Sequence, residues 1–306
     1  MKQLYMMVVP TIPKDVGKLL GNVDLFFSFL PICQICVVGS SEVSNLLPKE
    51  DNRFVFCHED TILNRGKLYS FINKRIDNEK SYFRFGWYYQ QFLKMAYANI
   101  CEDEYYLLWD SDTVPVKEVE VINQLGQPVF DYKTEFHKPY FDTIELLFSG
   151  LKKQINGSFI AEHMLINVSI MRSLIAEIEK NNMTGSLFCE KIISAIPDGK
   201  LSSLSFSEFE TYGTYVTKKY PNVYVLRKWK SMRFGGFFYK ENDILKKEDL
   251  IWLSKHFDAI SFEKTDNYTF LGKLVNIKIF RILFPSSILF FLSAIVRGYN
   301  KIRRLK

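Results

Sequence analysis

Two aspartates, Asp110 and Asp112, stand one residue apart directly after a run of large apolar residues in the segment YYLLWDSDTVPV. On a continuing strand the two carboxylates would point to the same face, and in a tight turn they can converge on one ion. Two ionised carboxylates this close repel each other unless a cation lies between them. Mg²⁺ and Mn²⁺ fit that position, since Mg²⁺ commonly takes one or two carboxylates together with substrate phosphates. The pair therefore indicates a metal site for a phosphate-bearing ligand, and the structural alternative is an ordinary polar turn.

The elements that would position this pair are predicted from the alternation of short apolar runs and helical patterns. We expect strands at 4–11, 34–40, 53–60 and 104–110, with a helix over 86–100 just before the last of them. This order is typical of an α/β fold with a mainly parallel central sheet and helices on both faces. Ligands in such sheets bind beyond the carboxyl ends of strands, which is where the aspartate pair falls.

The second half of the chain continues with mixed patterns. A strand is expected over 159–166, a helix over 207–220 capped by Ser207, and a further strand over 222–229. Ser207 is followed by glutamates in the first turn, where the helix dipole favours negative charge. A short helix is expected over 248–257.

Charge is distributed unevenly along the sequence. The net charge is +6, but no acidic residue follows Asp266 and eight Lys and Arg residues do, so the rest of the chain has a net charge of −2. A nucleic-acid-binding protein would more often carry basic residues over its folded surface, so nucleic acid is not an expected partner. We therefore predict a domain at 1–265 and a basic, amphipathic C-terminal helix within a tail at 266–306.

The five cysteines do not form a recognisable metal-binding pattern. Cys33 and Cys36 make a CxxC motif, but neither a second pair nor suitably spaced histidines accompany it. We expect packed free thiols and, from their reduced state, a cytoplasmic protein. The apolar run near the N-terminus is too short for a signal peptide.

The order of these motifs resembles the nucleotide-sugar glycosyltransferases with the Rossmann-like A-type (GT-A) fold. YYLLWDSDTVPV is similar to their metal-binding DxD segment, GWYYQQFLKM to the helix beside the donor, and SEFETYGTY to the acidic helix start that supplies the base in inverting members. The resemblance covers roughly residues 3–240. It is greatest to bacterial surface-polysaccharide glycosyltransferase-like proteins of unknown function.

The resemblance implies a role for each candidate residue on the donor side. Asp112 would bind Mn²⁺ or Mg²⁺ directly, and Asp110 would contact the donor ribose or a metal-bound water. The metal would bridge the diphosphate and neutralise charge on the leaving nucleotide. Asp15 would approach the nucleotide, as a ribose contact or a base. Gln91 and Lys94 share a helix face and would contact the donor's base or phosphates, unless that face is solvated. Arg233 is a further candidate for the diphosphate.

On the acceptor side an inverting transferase needs a carboxylate that takes the proton of the acceptor hydroxyl. Glu208 and Glu210 are the first candidates, with Glu208 slightly preferred, and helix-start capping is the structural alternative. Glu162 and His163 come next, because a charged pair in an apolar strand is costly without partners. We expect Glu162 as an alternative catalytic group and His163 in acceptor binding. The late histidine, His256, lies in an apolar helical pattern and is not expected to bind metal.

The tail is expected to bind the membrane surface. A helix after Ser286 would bury Ile288, Leu289, Phe291, Leu292 and Ile295 in the lipid interface, and its basic residues would meet anionic headgroups. The alternative is a helix packed on the domain. Its apolar run is too short to span a bilayer. The predicted location is thus the inner face of the cytoplasmic membrane, where a nucleotide-sugar donor and a glycan or lipid-linked acceptor would meet.

Two alternative functions remain open from the sequence. DSDTV also fits the DxDx[TV] opening of the haloacid-dehalogenase-like phosphatases, in which the first aspartate is the nucleophile and the second the general acid. That family usually has the motif on its first strand, and IPDGK at 196–200 matches its later motifs poorly. The other alternative is a non-catalytic, transferase-like scaffold that docks through its tail.

Overall fold

The chain divides into two units, each assembled from several segments. The computed structural model describes residues 3–74, 84–197, 199–240, 245–263 and 267–304. Unit 1 contains Met1–Pro13, Ile32–Trp109 and Val121–Lys228, and unit 2 contains Lys14–Pro31, Asp110–Glu120 and Trp229–Lys306. The domain boundary predicted at 265 and Asp198 of the IPDGK segment lie outside the described residues, so the division into 1–265 and 266–306 stays a prediction.

Unit 1 is built around a five-stranded sheet. Its strands are β1 (Tyr5–Pro10), β2 (Ile32–Gly39), β3 (Phe54–His58), β4 (Tyr105–Trp109) and, later in the chain, His163–Asn167. The first four run parallel in the order β3-β2-β1-β4, and the last pairs antiparallel with β4. The interior strands read as nearly continuous apolar runs, as expected for strands covered on both faces. The predicted α/β fold with a mainly parallel central sheet is thus confirmed.

The last strand of the five-stranded sheet, His163–Asn167, is β7 in chain order. The remaining strands form two small sheets and are β5 (Thr113–Pro115), β6 (Val129–Tyr132), β8 (Val225–Lys228), β9 (Ser231–Met232) and β10 (Ala259–Ser261). Strands β6 and β8 pair in parallel in unit 1, whereas β10 lies between β5 and β9 in unit 2.

Helices provide most of the packing around the sheets. In unit 1 they are α3 (Ser41–Leu46), α4 (Glu59–Ile62), α5 (Arg65–Asn73), α6 (Phe85–Ala96), α7 (Lys138–Leu147), α8 (Val168–Lys180), α9 (Phe188–Ala195) and α10 (Glu208–Lys219). In unit 2 they are α1 (Val16–Gly21), α2 (Val23–Phe29), α11 (Lys247–Leu253), α12 (Phe270–Val275), α13 (Lys278–Leu283) and α14 (Ile288–Arg304). The apolar periodicity over 16–30 is divided at Asn22, whose side-chain amide donates to the Lys18 carbonyl at 2.9 Å.

Each unit has its own apolar core. In unit 1, Tyr88 and Phe92 of α6 pack with Tyr106 and Leu108 of β4, and all four are fully buried. In unit 2, the core joins residues of β5 and α11 to the C-terminal helices.

The C-terminal helix α14 buries part of the apolar side that was predicted to face lipid. Leu289 and Val296 are buried in the core of unit 2, and Ile288 and Leu292 pack against it. The prediction that Leu289 faces lipid is therefore wrong, because the apolar first part of α14 has apolar residues on more than one side and turns one of those sides to the protein. Phe291 and Ile295, by contrast, are 65% and 48% exposed. No described helix is both long enough and apolar enough to cross a membrane.

The cysteines are free, but not all are packed. Cys36 is buried and Cys33 is exposed. Residues three apart on β2 point to opposite faces, so the CxxC motif has one thiol on each side of the strand. The prediction of a packed Cys33 is therefore wrong.

Candidate functional site

The two aspartates lie in a tight turn that follows β4. The backbone N–H of Thr113 donates to the Asp110 carbonyl at 3.0 Å, and the N–H of Phe262 donates to the Asp112 carbonyl at 2.8 Å. The Thr113 hydroxyl lies 3.3 Å from Asp112 Oδ1 and 2.8 Å from the Ser261 hydroxyl. Both aspartates are half-buried. The turn is thus fixed by backbone and hydroxyl contacts within unit 2.

Two carboxylates in one turn suit a hard cation that takes its other ligands from water and from a substrate. Mg²⁺ is usually bound in this way, and the residues therefore fit Mg²⁺ or Mn²⁺. Across the described ranges, no group of three or more His, Cys, Asp or Glu residues could hold a metal ion by itself. His256 lies in the turn after α11, where its Nδ1 is 2.9 Å from the Ser286 hydroxyl. A cation here would need phosphate oxygens to complete its coordination.

The carboxyl end of β4 is paired with the start of β7. Because β7 runs antiparallel, Trp109 at the end of β4 lies opposite His163 at the start of β7, and their rings are 4.8 Å apart. Glu162 immediately precedes β7 and adopts a φ of +61°. A left-handed backbone at a residue other than glycine is strained, and such strain clusters at functional sites. Glu162 and His163 were predicted within a strand, but Glu162 precedes β7 and His163 is its first residue.

Five buried or partly buried charged residues gather at this sheet edge, and we call them the edge cluster: Asp131, Lys133, Glu162, His163 and Arg227. Asp131 of β6 accepts from Arg227 Nε and Nη2 at 2.8 and 2.7 Å and lies 3.0 Å from His163 Nε2. The other ring nitrogen of His163 is 2.8 Å from the Ala161 carbonyl. Both ring nitrogens of His163 are thus engaged with oxygen atoms inside unit 1.

Ion pairing sets the ionisation of this cluster. Burial alone would raise the pKa of Asp131, but hydrogen bonds from Arg227 and His163 outweigh it and lower that pKa. Lys133 pairs with Glu162, and both side chains are nine-tenths buried. Residue 157, next to this pair, must be a glycine, because a Cβ there would lie 2.6 Å from the Lys133 carbonyl oxygen. The edge cluster is therefore a set of compensated charges in unit 1.

The predicted donor-side residues of α6, Gln91 and Lys94, contact the predicted base Glu208. Lys94 Nζ lies 2.7 Å from Glu208 Oε1, with side chains 5% and 6% exposed. Gln91 Oε1 accepts from the backbone N–H of Glu208 at 3.2 Å. Gln91 and Lys94 do share a face, but it is buried, so the alternative of a solvated helix face is wrong. The structure brings these three residues together at the first turn of α10.

Glu210 has different neighbours from Glu208, as expected for residues two apart on a helix. Burial raises its pKa, and this effect outweighs hydrogen bonds from the Ser158 hydroxyl and the Phe159 backbone and the nearby charge of Lys153. The Ser207 hydroxyl accepts from the Glu210 backbone N–H at 3.2 Å, which confirms the predicted helix cap. A buried carboxyl with a raised pKa is a candidate for proton transfer.

The other two predicted donor residues lie in unit 2 with partners of their own. Asp15 is 3.6 Å from Lys18 Nζ at the start of α1. Arg233 pairs with Glu263 at 2.8 Å. Nearby, a Cβ at Gly235 would lie 2.7 Å from the Ile260 side chain, so this glycine serves close packing.

Three residues of the edge cluster, Asp131, Lys133 and Arg227, were not predicted from the sequence. Asp131 stands between Phe130 and Tyr132 in a short buried strand, and Arg227 pairs opposite it on β8. A lone acid in an apolar strand is a signal that could have been read from the sequence. Its basic partner, 96 residues away, could not.

Comparison with solved structures gives low similarity to glycosyltransferases. A mouse xyloside xylosyltransferase 1 in the apo form is 12% identical, with a TM-score of 0.41 over 86% of this chain and 98% of that one. A galactosyltransferase, LgtC, with donor and acceptor sugar analogues is 10% identical, with a TM-score of 0.41 over 85% and 87%. The bifunctional glycosyltransferase WbbM, apo, is 11% identical, with a TM-score of 0.40 over 87% and 47%.

Comparison with sequence families gives a broader match. No curated protein matches the sequence. A model for a family of unknown function, DUF6492, matches residues 33–269, which is more than three quarters of the chain. The protein therefore belongs to this family, DUF6492.

Proposed function

We propose that the protein is a metal-dependent glycosyltransferase that uses a nucleotide-sugar donor. The observation that carries the proposal is the turn with Asp110 and Asp112, which directly follows a buried strand of a mainly parallel sheet. Ligands of such sheets bind beyond the carboxyl ends of the strands. The order of motifs along the chain, which resembles GT-A glycosyltransferases, supports the same activity.

In this proposal Asp110 and Asp112 hold Mn²⁺ or Mg²⁺ together with the donor diphosphate. The cation supplies neutralisation of the charge that develops on the leaving nucleotide. The hydrogen bonds at Thr113 and Phe262 fix the turn, so the carboxylates need little rearrangement when the donor binds.

The transfer needs a group that accepts one proton. The bond from the anomeric carbon to the donor phosphate oxygen breaks, the bond to the acceptor oxygen forms, and in an inverting reaction a carboxylate takes the hydroxyl proton. We favour Glu162, because it lies at the carboxyl end of β4 with a strained backbone. Glu208 is paired with Lys94 as Glu162 is with Lys133, but Glu208 lies in a regular helix without backbone strain, so we assign the Lys94–Glu208 pair a positioning role. Glu210 is kept as the alternative base because of its raised pKa.

The acceptor we propose is a glycan or lipid-linked glycan of a bacterial surface polysaccharide, such as a lipopolysaccharide or capsule. His163, which stands at the start of β7 beside Glu162, is the residue that we propose for acceptor binding. A reaction at the inner face of the cytoplasmic membrane would suit a lipid-linked acceptor.

The test is a thermal-shift screen against UDP-, GDP-, CMP- and dTDP-sugars, each with and without Mn²⁺. A ligand that binds only the folded state raises the free energy of unfolding by about 2.7 kcal/mol at a concentration of 100 Kd, and Tm rises with it. We expect one nucleotide to raise Tm in the presence of Mn²⁺, and Asp112→Asn to abolish that shift.

Asp142→Asn is the matched control, because this carboxylate is 51% exposed and belongs to a surface pair with Lys138. It should keep the full shift. Sugar transfer that survives the loss of both Asp110 and Asp112 would refute the proposal. Hydrolysis of a phosphomonoester that is lost in Asp110→Asn would favour the phosphatase, and a folded protein that binds no nucleotide would favour the scaffold.

A further inference from the structure

Exposed apolar side chains are concentrated in the C-terminal helices of unit 2. Among the described residues, 23 large hydrophobic side chains are exposed, and ten of them lie between residues 270 and 299. Large exposed apolar patches mark interaction surfaces on otherwise ordinary folded proteins. This segment therefore needs a partner that can cover apolar surface.

Six of these residues define what we call the C-terminal apolar face: Ile279, Ile282, Leu283, Phe291, Ile295 and Tyr299. On α13 no residue is buried, and its three members, spaced i, i+3 and i+4, are 66–73% exposed. On α14 the other three are spaced i, i+4 and i+8 and are 48–66% exposed. This spacing places each set of three on one side of its helix.

The inner side of α14 is already occupied. Leu289, Ser293 and Val296 are buried, and Leu289 and Val296 belong to the core of unit 2. The outer side that carries Phe291 and Ile295 therefore remains exposed because the inner side anchors the helix. A helix fixed in this way presents its apolar outer face without having to unfold from the protein.

The charge of the same segment identifies the partner. Residues 267–306 contain eight Lys and Arg residues and no Asp or Glu. Arg281 is held by Asp249 in unit 2 and donates to the carbonyl of Val275. Lys273, Lys278 and Arg297, in contrast, are exposed. A second copy of the chain would bring the same positive charges together, whereas an anionic bilayer offers both apolar depth and negative headgroups.

We infer that the C-terminal apolar face is a docking surface for an anionic lipid bilayer, with the side chains of α13 and the outer side of α14 in the headgroup–acyl boundary. The surface differs from the one expected from sequence, since it includes α13 and excludes Leu289. The inference of a bilayer-docking surface does not depend on the proposed glycosyltransferase activity.

The test is sedimentation of the full-length protein with vesicles of phosphatidylcholine alone or mixed with phosphatidylglycerol. We expect binding to the mixed vesicles that weakens as salt rises. Ile282→Ser with Leu283→Ser should lower the partition coefficient at least about tenfold, because two exposed apolar side chains leave the interface. Lys273→Gln with Lys278→Gln should lower binding to anionic vesicles selectively.

Leu125→Ser is the matched control, since Leu125 is 83% exposed in unit 1 and outside this surface. It should bind vesicles as the unmodified protein does. Absence of binding to both vesicle types would overturn the inference. So would binding that Ile282→Ser with Leu283→Ser leaves unchanged, or a dimer in solution that the same double variant dissociates.

Discussion

Lys94 and Glu208 form the most clearly buried ion pair among the residues predicted to act on substrates. Each side chain is almost fully removed from water, and Lys94 Nζ also lies 4.5 Å from the ring centre of Phe209. Breaking such a pair from one side leaves an unpaired charge in a medium of low dielectric constant, which costs more than the pair contributes. Stability measurements can therefore separate a positioning role from donor binding.

Lys94→Met is expected to lower the free energy of unfolding by about 3–5 kcal/mol, because Glu208 is then buried without its cation. The double variant Lys94→Met with Glu208→Met should regain most of that loss, since both charges are gone. Urea unfolding followed by circular dichroism gives both numbers.

Lys138→Met is the control for this measurement. Lys138 pairs with Asp142 at 2.5 Å, but their side chains are 72% and 51% exposed, and exposed pairs contribute little. Unchanged stability in Lys94→Met, together with weaker donor binding, would contradict the positioning role and restore Lys94 to the donor site.

Glu210 gives a prediction about pH. Its pKa is raised in the folded state by burial, so folding favours its protonated form. Stability is then lost as the pH rises above the unfolded value of about 4.3 and through the folded pKa. Glu210→Gln removes that loss. We expect Tm of the variant to exceed that of the unmodified protein at pH 7 and to approach it at pH 4.

Differential scanning fluorimetry across this range is the measurement. A difference in Tm that is the same at pH 4 and pH 7 would contradict the ionisation argument. If Glu210 is also the base, the same substitution abolishes sugar transfer while it stabilises the fold.

At the scale of elements, strands were predictable where a local pattern defines them. The run YYLLW predicts β4 because each of its residues is apolar or aromatic, and Ser207 predicts the start of α10 because its hydroxyl can cap the helix. The neighbours of these elements were not predictable. The contact between α6 and α10 joins Lys94 to Glu208 across 114 residues, and no local pattern encodes that distance.

The packing of α10 gives a prediction for a single glycine. A Cβ at Gly213 would lie 2.4 Å from the ring of Phe159, so the helix can approach that ring only because residue 213 has no side chain. Alanine normally favours a helix over glycine by about 1 kcal/mol. Here we expect Gly213→Ala to lower the free energy of unfolding instead, because the buried Phe159 must move.

Gly86→Ala on α6 is the comparison, since nothing lies within 4 Å of a Cβ at that position. It should leave stability unchanged or raise it by up to about 1 kcal/mol. Denaturant midpoints of both variants, measured side by side, test the argument. If both variants raised the free energy of unfolding equally, Phe159 would have moved without a free-energy penalty.

At the scale of the whole molecule, each of the two units combines segments that are far apart in the sequence, so local composition does not define them. Unit 2 takes segments from three separate parts of the sequence, including the aspartate turn at Asp110–Glu120. A composition shift such as the end of acidic residues at Asp266 predicts a tail, but it cannot predict which segments share a core. For this reason, the packing of Leu289 in the core of unit 2 was not predicted from the sequence.

The five free cysteines all lie in unit 1 and provide a test of its packing. In the native protein we expect iodoacetamide to label Cys33, which is exposed, and Cys57, which is half-buried, while Cys36, Cys101 and Cys189 stay protected until unfolding. A hydrogen bond from the Cys36 thiol lowers the pKa of Cys57 to about 6. Its labelling should therefore change little between pH 7 and pH 8.5, where an ordinary thiol with a pKa near 8.5 accelerates roughly tenfold.

Mass spectrometry of peptides labelled at several pH values measures each rate, and a model cysteine peptide supplies the reference. The expected order follows from burial, because the thiolate must meet the reagent, and from the Cys36 hydrogen bond, because it stabilises the thiolate of Cys57. Labelling of Cys101 or Cys189 at the rate of Cys33 would mean that the core of unit 1 opens readily. A tenfold rise for Cys57 above pH 7 would mean that the bond from Cys36 is absent in solution.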